Sequence, residues 1–514
     1  MWKRNEHNQR PVLQREEFPS APLSDNLADN RIWVEETYAD CQDLKLIAWS
    51  YGPQLDQTAF SVYLETLVKD EKVTGIEQSL QELVTAGTSL LTETSLEDVQ
   101  FILTHHAALV HSAIVLEDGG QVLQHILDGR LVVFLNNWNK AVSYDAQGVS
   151  HREVSEPITE SVVQGPHNST IENLTTNIGL IRSLLKSPKL KFEFKTAGEI
   201  SRRTIGYGYL EGAVNPESLS EFKRRIADID TEEIMETSYL EEWIGESRYS
   251  PFPQVRYTER PDNAAAALLD GKIIALVNGT PTILICPVHF FEFLTTSEDY
   301  YHRFIFSSLI RLLRVWALVM ALMLPSTYIA LSTFHSELLP TVLLLAILDT
   351  REGIPFPAFV EALIMEFFFE LLREAGIRLP RPIGSAVSIV GALVIGEAAI
   401  QAKIASPVMV IIVALTGIAS FSLPQYSLAV ALRILRFPLM ALAATFGGLG
   451  IMIGFLLVLL HLTSLRSLGQ PYLAPVAPLD IKQWRDIFIM IPRKFLLHSP
   501  RNRHLHKKPG GRGK

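Results

Sequence analysis

Hydrophobic and polar positions follow different periods in successive parts of the chain. After Trp33, apolar residues recur three and four positions apart, most clearly in LETLVKDEKVTGIEQSLQELV. This spacing predicts several amphipathic helices. VVFL and AVSY then flank the turn residues Asn136 to Asn139, which predicts a hairpin. We therefore predict a disordered lead-in over residues 1–32 and a mostly helical soluble subdomain with a small β element over residues 33–149.

A second soluble subdomain, residues 150–302, has mixed patterning. KLKFEFK and RTIGYGYL alternate as strands do, and PESLSEFKRRIADIDTEEIMETSYLEEWIG predicts helices with Ser218 and Thr231 as capping residues. In KIIALVNGTPTILICPV, Asn278-Gly279 suits a turn that needs positive φ between two apolar strands. The pattern predicts an α+β domain of two subdomains as the soluble part of a multidomain membrane protein.

Residues 303–463 contain long apolar runs, which predict an α-helical transmembrane domain. Arg303, Arg311 and Arg314 stand before or just within the first run, so the positive-inside rule places the preceding soluble domain in the cytosol. ELLPTVLLLAILDT holds too few apolar residues to span alone. Together with PFPAFVEALIMEFFFELLREAG, it predicts a broken or re-entrant segment.

Three further spans are predicted: residues 384–404, a run from Ser406, and a run from Phe437 to residue 462. Four full spans would return the basic C-terminal tail, residues 464–514, to the cytosol, which the positive-inside rule favours. A fifth crossing by residues 338–372 would place the tail outside. Local positive charge favours the second arrangement: Arg373, Arg378 and Arg381. The sequence leaves four or five spans open.

Charge is distributed as unevenly as hydropathy. The net charge is −9, but residues 464–514 hold eleven Lys/Arg against two Asp, and residues 303–462 hold ten Lys/Arg against eight Asp/Glu. The first 302 residues therefore carry −20. This asymmetry indicates an acidic soluble part, a membrane part and a basic tail, and it gives no indication of nucleic-acid binding.

The residue patterns indicate neither an enzyme nor a metal site. Cys41 and Cys286 are too few and too far apart for a disulfide framework or a thiolate site. No fourth ligand accompanies His105, His106 and His111. The sequence also contains no nucleophile elbow or phosphate-binding loop. We predict no enzymatic activity, no cofactor and no bound metal.

Five stretches resemble hallmark sequences of one family. They are SPFPQVRYTERPD (250–262), EDYYHRF (298–304), LLREAGIRLPRPIG (371–384), VGALVIGEAA (390–399) and SLGQPYLAP (467–475). Within residues 153–478, their order and combination resemble the A subunits of GerA-type spore germinant receptors. Two residues depart from the family pattern: Gln164, where arginine is common, and Glu397, where glutamine is common.

The resemblance implies a complex in the spore inner membrane that senses nutrients and starts germination. It implies two partners: a B subunit, related to amino-acid transporters, that receives the nutrient, and a C subunit that is a lipoprotein. It also implies that the A subunit forms a homo-oligomer, a pentamer, which acts as a nutrient-gated channel for monovalent cations. The soluble domain would then lie on the cytosolic side.

The predicted span over residues 384–404 carries an acid near its middle, which defines the first candidate site. Helical spacing places five residues along one face: Ala386, Val390, Leu393, Glu397 and Gln401. If several copies surround an axis, Leu393 would form a hydrophobic gate and Glu397 an acidic ring that attracts cations. The family resemblance also implies that the narrow gate is at Leu393. Alternatively, Glu397 pairs with Lys403 or an arginine of a neighbouring helix and has a structural role.

Two more candidate sites contain paired charges. An acidic stripe with spacing i, i+4, i+8 would line a cation vestibule: Glu366, Glu370 and Glu374. The alternative is that these carboxylates form salt bridges at the interface with Arg373, Arg378 or Arg381. In TERPD, Arg260 and Asp262 would transmit motion between the soluble and membrane parts, or they would belong to a satisfied linker loop.

Three other functions are compatible with the sequence. The chain would be an accessory amplifying channel, a non-conducting scaffold that docks the nutrient-binding subunit, or a secondary transporter. A transporter usually has inverted repeats, which the predicted spans lack. A scaffold predicts that substitutions on the Leu393 face alter assembly and leave ion flux unchanged.

Overall fold

The computed structural model describes residues 21–51, 57–78, 113–148, 164–379 and 394–479, with residues 157, 160, 162, 391 and 489–490. Two α+β subdomains come first in the chain, and a helical region follows from Phe304. This order agrees with the predicted soluble and helical parts.

Subdomain 1 contains a five-stranded antiparallel sheet with the order β1-β2-β4-β5-β3. Its elements are α1 (Leu27–Thr37), β1 (Leu44–Tyr51), β2 (Gln57–Leu64), β3 (Ile114–Leu116), α2 (Gly119–Leu127), β4 (Arg130–Leu135) and β5 (Ala141–Asp145), and residues 70–78 are also helical. The pairing of β4 with β5 confirms the predicted hairpin.

The prediction of only a small β element in subdomain 1 is wrong for the described residues. Strand β2 is covered on both faces: Phe60 and Val62 belong to one core cluster, and Ala59 and Tyr63 belong to another. A strand buried on both faces lacks the alternation of apolar and polar residues that identifies a half-buried strand. The sequence pattern therefore did not reveal it.

Subdomain 2 contains a second five-stranded antiparallel sheet, with the order β6-β7-β9-β10-β8. Its elements are α3 (Leu174–Leu184), β6 (Leu190–Ala197), β7 (Arg203–Leu210), α4 (Pro216–Ala227), α5 (Tyr239–Ile244), β8 (Arg256–Thr258), α6 (Pro261–Leu269), β9 (Ile273–Val277) and β10 (Ile283–Cys286). The β9–β10 hairpin is confirmed, and Gly279 has a φ of +95° in its turn. The predicted caps are wrong, because Asn215 caps α4 and residue 231 begins no helix.

The two subdomains share one strand topology. Each sheet orders its strands first, second, fourth, fifth and third, and in each a helix connects the third strand to the fourth. The turns after those helices also match: residues 127–130 read LDGR and residues 269–272 read LDGK. Gly129 and Gly271 have φ values of +76° and +78°. The soluble part therefore contains a structural repeat that the sequence analysis did not detect.

Polar contacts join the two subdomains, and the Arg182–Asp43 pair among them is buried. Arg182 in α3 donates from Nε and Nη2 to the two Asp43 carboxylate oxygens, each at 2.6 Å, and both side chains are 1% exposed. The Gln42 backbone N–H donates to the Phe192 carbonyl at 3.0 Å. The Phe194 N–H donates in return to Gln42 Oε1 at 2.6 Å. These contacts fix subdomain 1 against α3 and β6.

The helical region contains α7 (Phe304–Thr333), α8 (Thr341–Thr350), α9 (Ala358–Arg378), α10 (Pro407–Phe421), α11 (Tyr426–Phe446) and α12 (Gly448–Ser464), and residues 394–401 are also helical. Among the described residues, α7 and α11 are long and apolar enough to cross a membrane, whereas α8, α10 and α12 are shorter apolar helices. Helix α7 packs against α10 and α11, and these three helices form the centre of the region.

The predicted span from Phe437 to residue 462 is wrong, because the structure has two helices there. Helix α11 begins eleven residues before Phe437 and ends before Gly447, whose φ of +60° and ψ of −136° favour glycine. A Cβ at Gly447 would lie 2.8 Å from Phe334 Cβ. The predicted span left out the first half of α11, which contains Arg433 and Arg436.

After α12 the chain packs against subdomain 2. β11 (Arg466–Ser467) and β12 (Gln470–Pro471) pair, and we call residues 465–473 the return segment. The Tyr472 side chain is fully buried, and its hydroxyl donates to the Pro253 carbonyl at 2.7 Å. The Ser218 hydroxyl donates to the Leu468 carbonyl at 3.1 Å. These residues were predicted to belong to the basic tail, but they pack on the soluble part.

Candidate functional site

Residues 394–401 form the helical segment that carries the predicted intramembrane acid. Val394, Glu397 and Gln401 are exposed in the single chain, and Val394 is 56% exposed. Gly396 and Ala399 are buried, and a Cβ at Gly396 would lie 3.4 Å from Val410 of α10. The segment therefore packs through its small residues and leaves Glu397 and Gln401 together on an uncovered face.

The Glu397 carboxylate accepts a hydrogen bond from Gln401 Nε2 at 3.1 Å. Within the described ranges, it forms no ion pair with Lys403 or with an arginine. Lys403 has a φ of +55°, and its ammonium group lies beside Gly353 in the connection from α8 to α9. Three predicted members of the face lie outside the described residues, and their place on it stays a prediction: Ala386, Val390 and Leu393.

The three predicted vestibule carboxylates lie on α9, and each contacts an arginine. Glu374 pairs with Arg378 on the same helix at 2.6 Å. Glu370 lies 2.5 Å from Arg433 of α11 and 3.6 Å from Arg373. The side chains of Glu370 and Glu374 remain 41% and 57% exposed, so they still face the surface of the single chain. Their vestibule role stays a prediction.

Glu366 is the buried member of this stripe. Its Oε2 accepts from Arg436 Nη1 at 2.6 Å, and the two side chains are 3% and 2% exposed. Arg436 Nε also donates to the Ala321 carbonyl at 2.9 Å. One guanidinium group thus links α7, α9 and α11. The sequence signal for this link was a pair of arginines, Arg433 and Arg436, within an apolar helix, where unpaired charges are rare.

The predicted coupling pair lies at the start of α6. Arg260 is fully buried and donates to Asp262 from Nε at 3.1 Å and from Nη2 at 2.7 Å. The Tyr301 hydroxyl also donates to Asp262, at 2.7 Å. Burial, followed by the Asp262 hydrogen bond, raises the pKa of Tyr301 to about 12. The pair therefore contacts the residues that lead directly into α7.

Sequence reasoning missed Asp299, the acid of EDYYHRF that lies five residues before α7. Its carboxylate is 2% exposed and accepts from Arg311 Nε at 3.1 Å and from Arg314 Nη1 at 2.9 and 2.8 Å. Both arginines are also buried. In the sequence, these arginines indicated only the orientation of the membrane region. Two arginines three residues apart inside an apolar helix were the available signal for a buried acidic partner.

Subdomain 2 also contacts two other helices of the region. His461 near the end of α12 lies 2.9 Å from the Ser250 hydroxyl. Gln425, just before α11, donates to Glu160 at 3.2 Å, and Glu160 also accepts from the Thr258 hydroxyl at 2.5 Å. Burial raises the pKa of Glu160. The start of α7, the start of α11 and the end of α12 therefore lie beside subdomain 2.

The chain is similar to known proteins over both subdomains and the helical region. Residues 33–502 match the family described as Bacillus/Clostridium GerA spore germination protein. "Uncharacterized membrane protein YfkQ" of Bacillus subtilis (strain 168) is 40% identical over 486 residues, which cover 94% of this chain and 92% of that protein. "Spore germination protein KA" of the same organism is 43% identical over 372 residues, which cover 72% of this chain and 68% of that protein.

The chain is also similar to a solved structure, the crystal structure of the N-terminal domain of the A subunit of the Bacillus megaterium spore germinant receptor GerK3. It is 23% identical with a TM-score of 0.40, and the match covers 53% of this chain and 98% of that one. The family match, in contrast, extends over both subdomains and the helical region. It confirms the resemblance found in the sequence: the chain belongs to the GerA spore germination protein family, as a protein of the A-subunit type.

Proposed function

We propose that this chain oligomerises in the spore inner membrane and conducts monovalent cations when a nutrient is sensed. The observation that carries the proposal is the uncovered face of residues 394–401, where Glu397 has no ion-pair partner among the described residues. A charged side chain at the centre of a membrane helix costs about 2.5–3.5 kcal/mol. The same carboxylate would stay hydrated if several copies surrounded an aqueous axis.

The other acids of the helical region support this interpretation. Glu366 and Glu370 face Arg436 and Arg433 at 2.6 and 2.5 Å. The chain thus neutralises acids that pack between its own helices, and Glu397 differs from them. An acid without a counter-charge on an exposed face is expected where it meets water or permeant cations.

Contacts with subdomain 2 support a specific topology. Asp299 holds the start of α7, and the return segment follows the end of α12. Because subdomain 2 lies on one side of the membrane, the helical region crosses it an even number of times. The positive-inside rule makes this side the cytosol. Nutrient recognition would come from a transporter-like B subunit, with a lipoprotein C subunit in the same complex.

The pore is tested by substitution at the predicted gate and at the acid. Leu393→Ala removes apolar bulk from the constriction and should depolarise growing cells that express the chain with its partner subunits, as followed by a voltage-sensitive dye. Glu397→Gln should lower the preference for cations over anions without closing the pore. Ile418→Ala, at a position 63% exposed on α10, is the matched control and should change neither property.

Protein abundance must be equal in all strains. Depolarisation by Leu393→Ala alone supports a gated pore on this face. An unchanged potential in every variant contradicts the pore and favours the non-conducting scaffold that docks the nutrient-binding subunit.

A further inference from the structure

The Asp299 contacts form a buried joint between the soluble part and α7. Asp299 lies in a 3-10 turn, Ser297–Tyr300, which Thr296 caps through reciprocal hydrogen bonds. At about 1.5 Å per residue, Arg311 and Arg314 lie roughly 10–15 Å along α7 from its first residue. The soluble part therefore contacts α7 along its first two to three turns, well beyond the point where the helix begins.

Further hydrogen bonds make this joint specific. Arg314 donates to the Leu294 carbonyl and to the Thr296 hydroxyl, each at 3.1 Å. The Ser307 hydroxyl donates to the Asp299 carbonyl at 2.7 Å. We call the carboxylate of Asp299 with the guanidinium groups of Arg311 and Arg314 the α7 joint. It binds α7 to both the backbone and the side chains of residues 294–299.

The polarity of the α7 joint has a mechanical consequence. Apolar contacts are non-directional, so a single apolar contact sets no preferred alignment of the two groups. Arginine–carboxylate hydrogen bonds are directional and depend on planar alignment. A buried ion pair also contributes little net stability compared with apolar packing, so stability alone does not account for it. The α7 joint fixes the rotation and the axial position of α7 relative to subdomain 2.

A continuous chain of contacts leads from the α7 joint to α9. Ala321 lies seven residues after Arg314, which places both residues on one face of α7. The Ala321 carbonyl accepts from Arg436 of α11, and Arg436 pairs with Glu366 of α9. On the soluble side, Tyr301 is bonded to Asp262 at 2.7 Å. A displacement of subdomain 2 would therefore move α7 and, through Arg436, two further helices. Met365 of α9 belongs to the same buried apolar cluster as Ala399, so α9 and the helical segment of residues 394–401 share one core.

We propose that Asp299 is the positioning residue through which subdomain 2 sets the register of α7 and thereby the conformation of the pore face of residues 394–401. This inference rests on the proposed function, since it assumes that this face meets water. It differs from the predicted role of Arg260 and Asp262, because Asp299 contacts α7 directly.

Thiol labelling of the full-length chain in phospholipid vesicles tests the inference without a nutrient. Cys41 and Cys286 are buried, and burial raises the pKa of both thiols, so they react slowly. In the parent variant, Gln401→Cys, the pore face is labelled with a charged, membrane-impermeant methanethiosulfonate. Ile418→Cys provides a lipid-facing reference. Asp299→Asn is then added to the parent variant, and its matched control is Asp43→Asn.

Asp43 is a suitable control because it is also a buried aspartate bonded to arginine, but it joins the two soluble subdomains. We expect Asp299→Asn to raise the labelling rate of Gln401→Cys by about fivefold or more, the lower bound of ordinary coupling between distant sites. Asp43→Asn should leave the rate unchanged. Arg314→Lys is a second variant, for use if Asp299→Asn folds poorly. It keeps the positive charge but loses the contact with both carboxylate oxygens, so it should raise the labelling rate by a smaller factor.

The outcomes separate the inference from the proposed function. If Gln401→Cys reacts no faster than Ile418→Cys, the aqueous pore itself is contradicted. If Gln401→Cys reacts faster, the α7 joint is judged by the added substitutions. The positioning role is overturned if the labelling rates of Asp299→Asn and Arg314→Lys both stay within about twofold of the parent rate or fall below it. It is also overturned if Asp43→Asn raises the rate as much as Asp299→Asn does.

Discussion

Removing one partner of the Arg182–Asp43 pair should destabilise the protein more than removing both. Two hydrogen bonds of 2.6 Å join the side chains, which are each 1% exposed. Asp43→Leu leaves a guanidinium group buried between the subdomains without its carboxylate. Loss of one partner from such a pair costs about 3–5 kcal/mol.

The double variant, Asp43→Leu with Arg182→Leu, buries no charge. It loses two further hydrogen bonds, because Asp43 also accepts from the Thr66 hydroxyl at 3.0 Å and Arg182 donates to the Leu190 carbonyl at 3.2 Å. At about 1 kcal/mol for each lost hydrogen bond, the double variant should lose about 2 kcal/mol. The single variant should therefore be the less stable protein.

Thermal unfolding of the full-length chain in detergent, followed by tryptophan fluorescence, measures this difference. At about 2–4 °C per kcal/mol, Asp43→Leu should lower Tm by roughly 6–20 °C. Glu35→Gln is the control, because the Arg31–Glu35 pair is 52% and 46% exposed and should contribute about 0.5 kcal/mol or less. A double variant that is no more stable than Asp43→Leu would refute the reasoning from the buried charge.

Three further predictions use the same unfolding measurement. Arg436→Met leaves Glu366 buried without its partner and should lower the free energy of unfolding by about 3–5 kcal/mol. Adding Glu366→Gln to the same chain should recover part of this stability, and no recovery would argue against a charge effect. Gly447→Ala, at a φ of +60° and with a Cβ 2.8 Å from Phe334 Cβ, should cost about 1–3 kcal/mol, and wild-type stability would contradict the assigned backbone conformation. Hydrogen bonds from two arginines of α4 lower the pKa of Glu221 from 4.5 to about 2. Its contribution to stability is present above pH 4.5 and is lost as the pH falls towards about 2. Glu221→Gln should therefore reduce the decrease of Tm over this pH range, and an unchanged decrease would contradict the role of Glu221.

The hairpins could be predicted because their signals are local. The β9–β10 turn needed a residue that tolerates positive φ, and Asn278-Gly279 supplies one. Strand β2 could not be predicted in the same way, since it is buried on both faces and shows no alternation. The repeat of topology between the subdomains also requires the strand order, which a sequence without a strong internal similarity does not show.

The candidate acids could be predicted from helical spacing, but their partners could not. Spacing placed Glu397 beside Gln401, and these side chains are hydrogen-bonded at 3.1 Å. In contrast, Glu366 meets Arg436 from 70 residues away, because α9 packs beside α11. The predicted partners were arginines close to the acidic stripe in sequence, whereas packing places a more distant arginine beside Glu366.

By itself, the sequence determined the family, the order of soluble and helical parts, and the separation of charge along the chain. These properties depend on short motifs and on composition, which a linear chain carries without folding. The tertiary structure decided the shared topology of the subdomains, the position of the return segment and the contacts of Asp299. Each of these depends on which surfaces pack together, and contacts such as that of Ser218 with Leu468, 250 residues apart, follow from three-dimensional packing and from no local pattern.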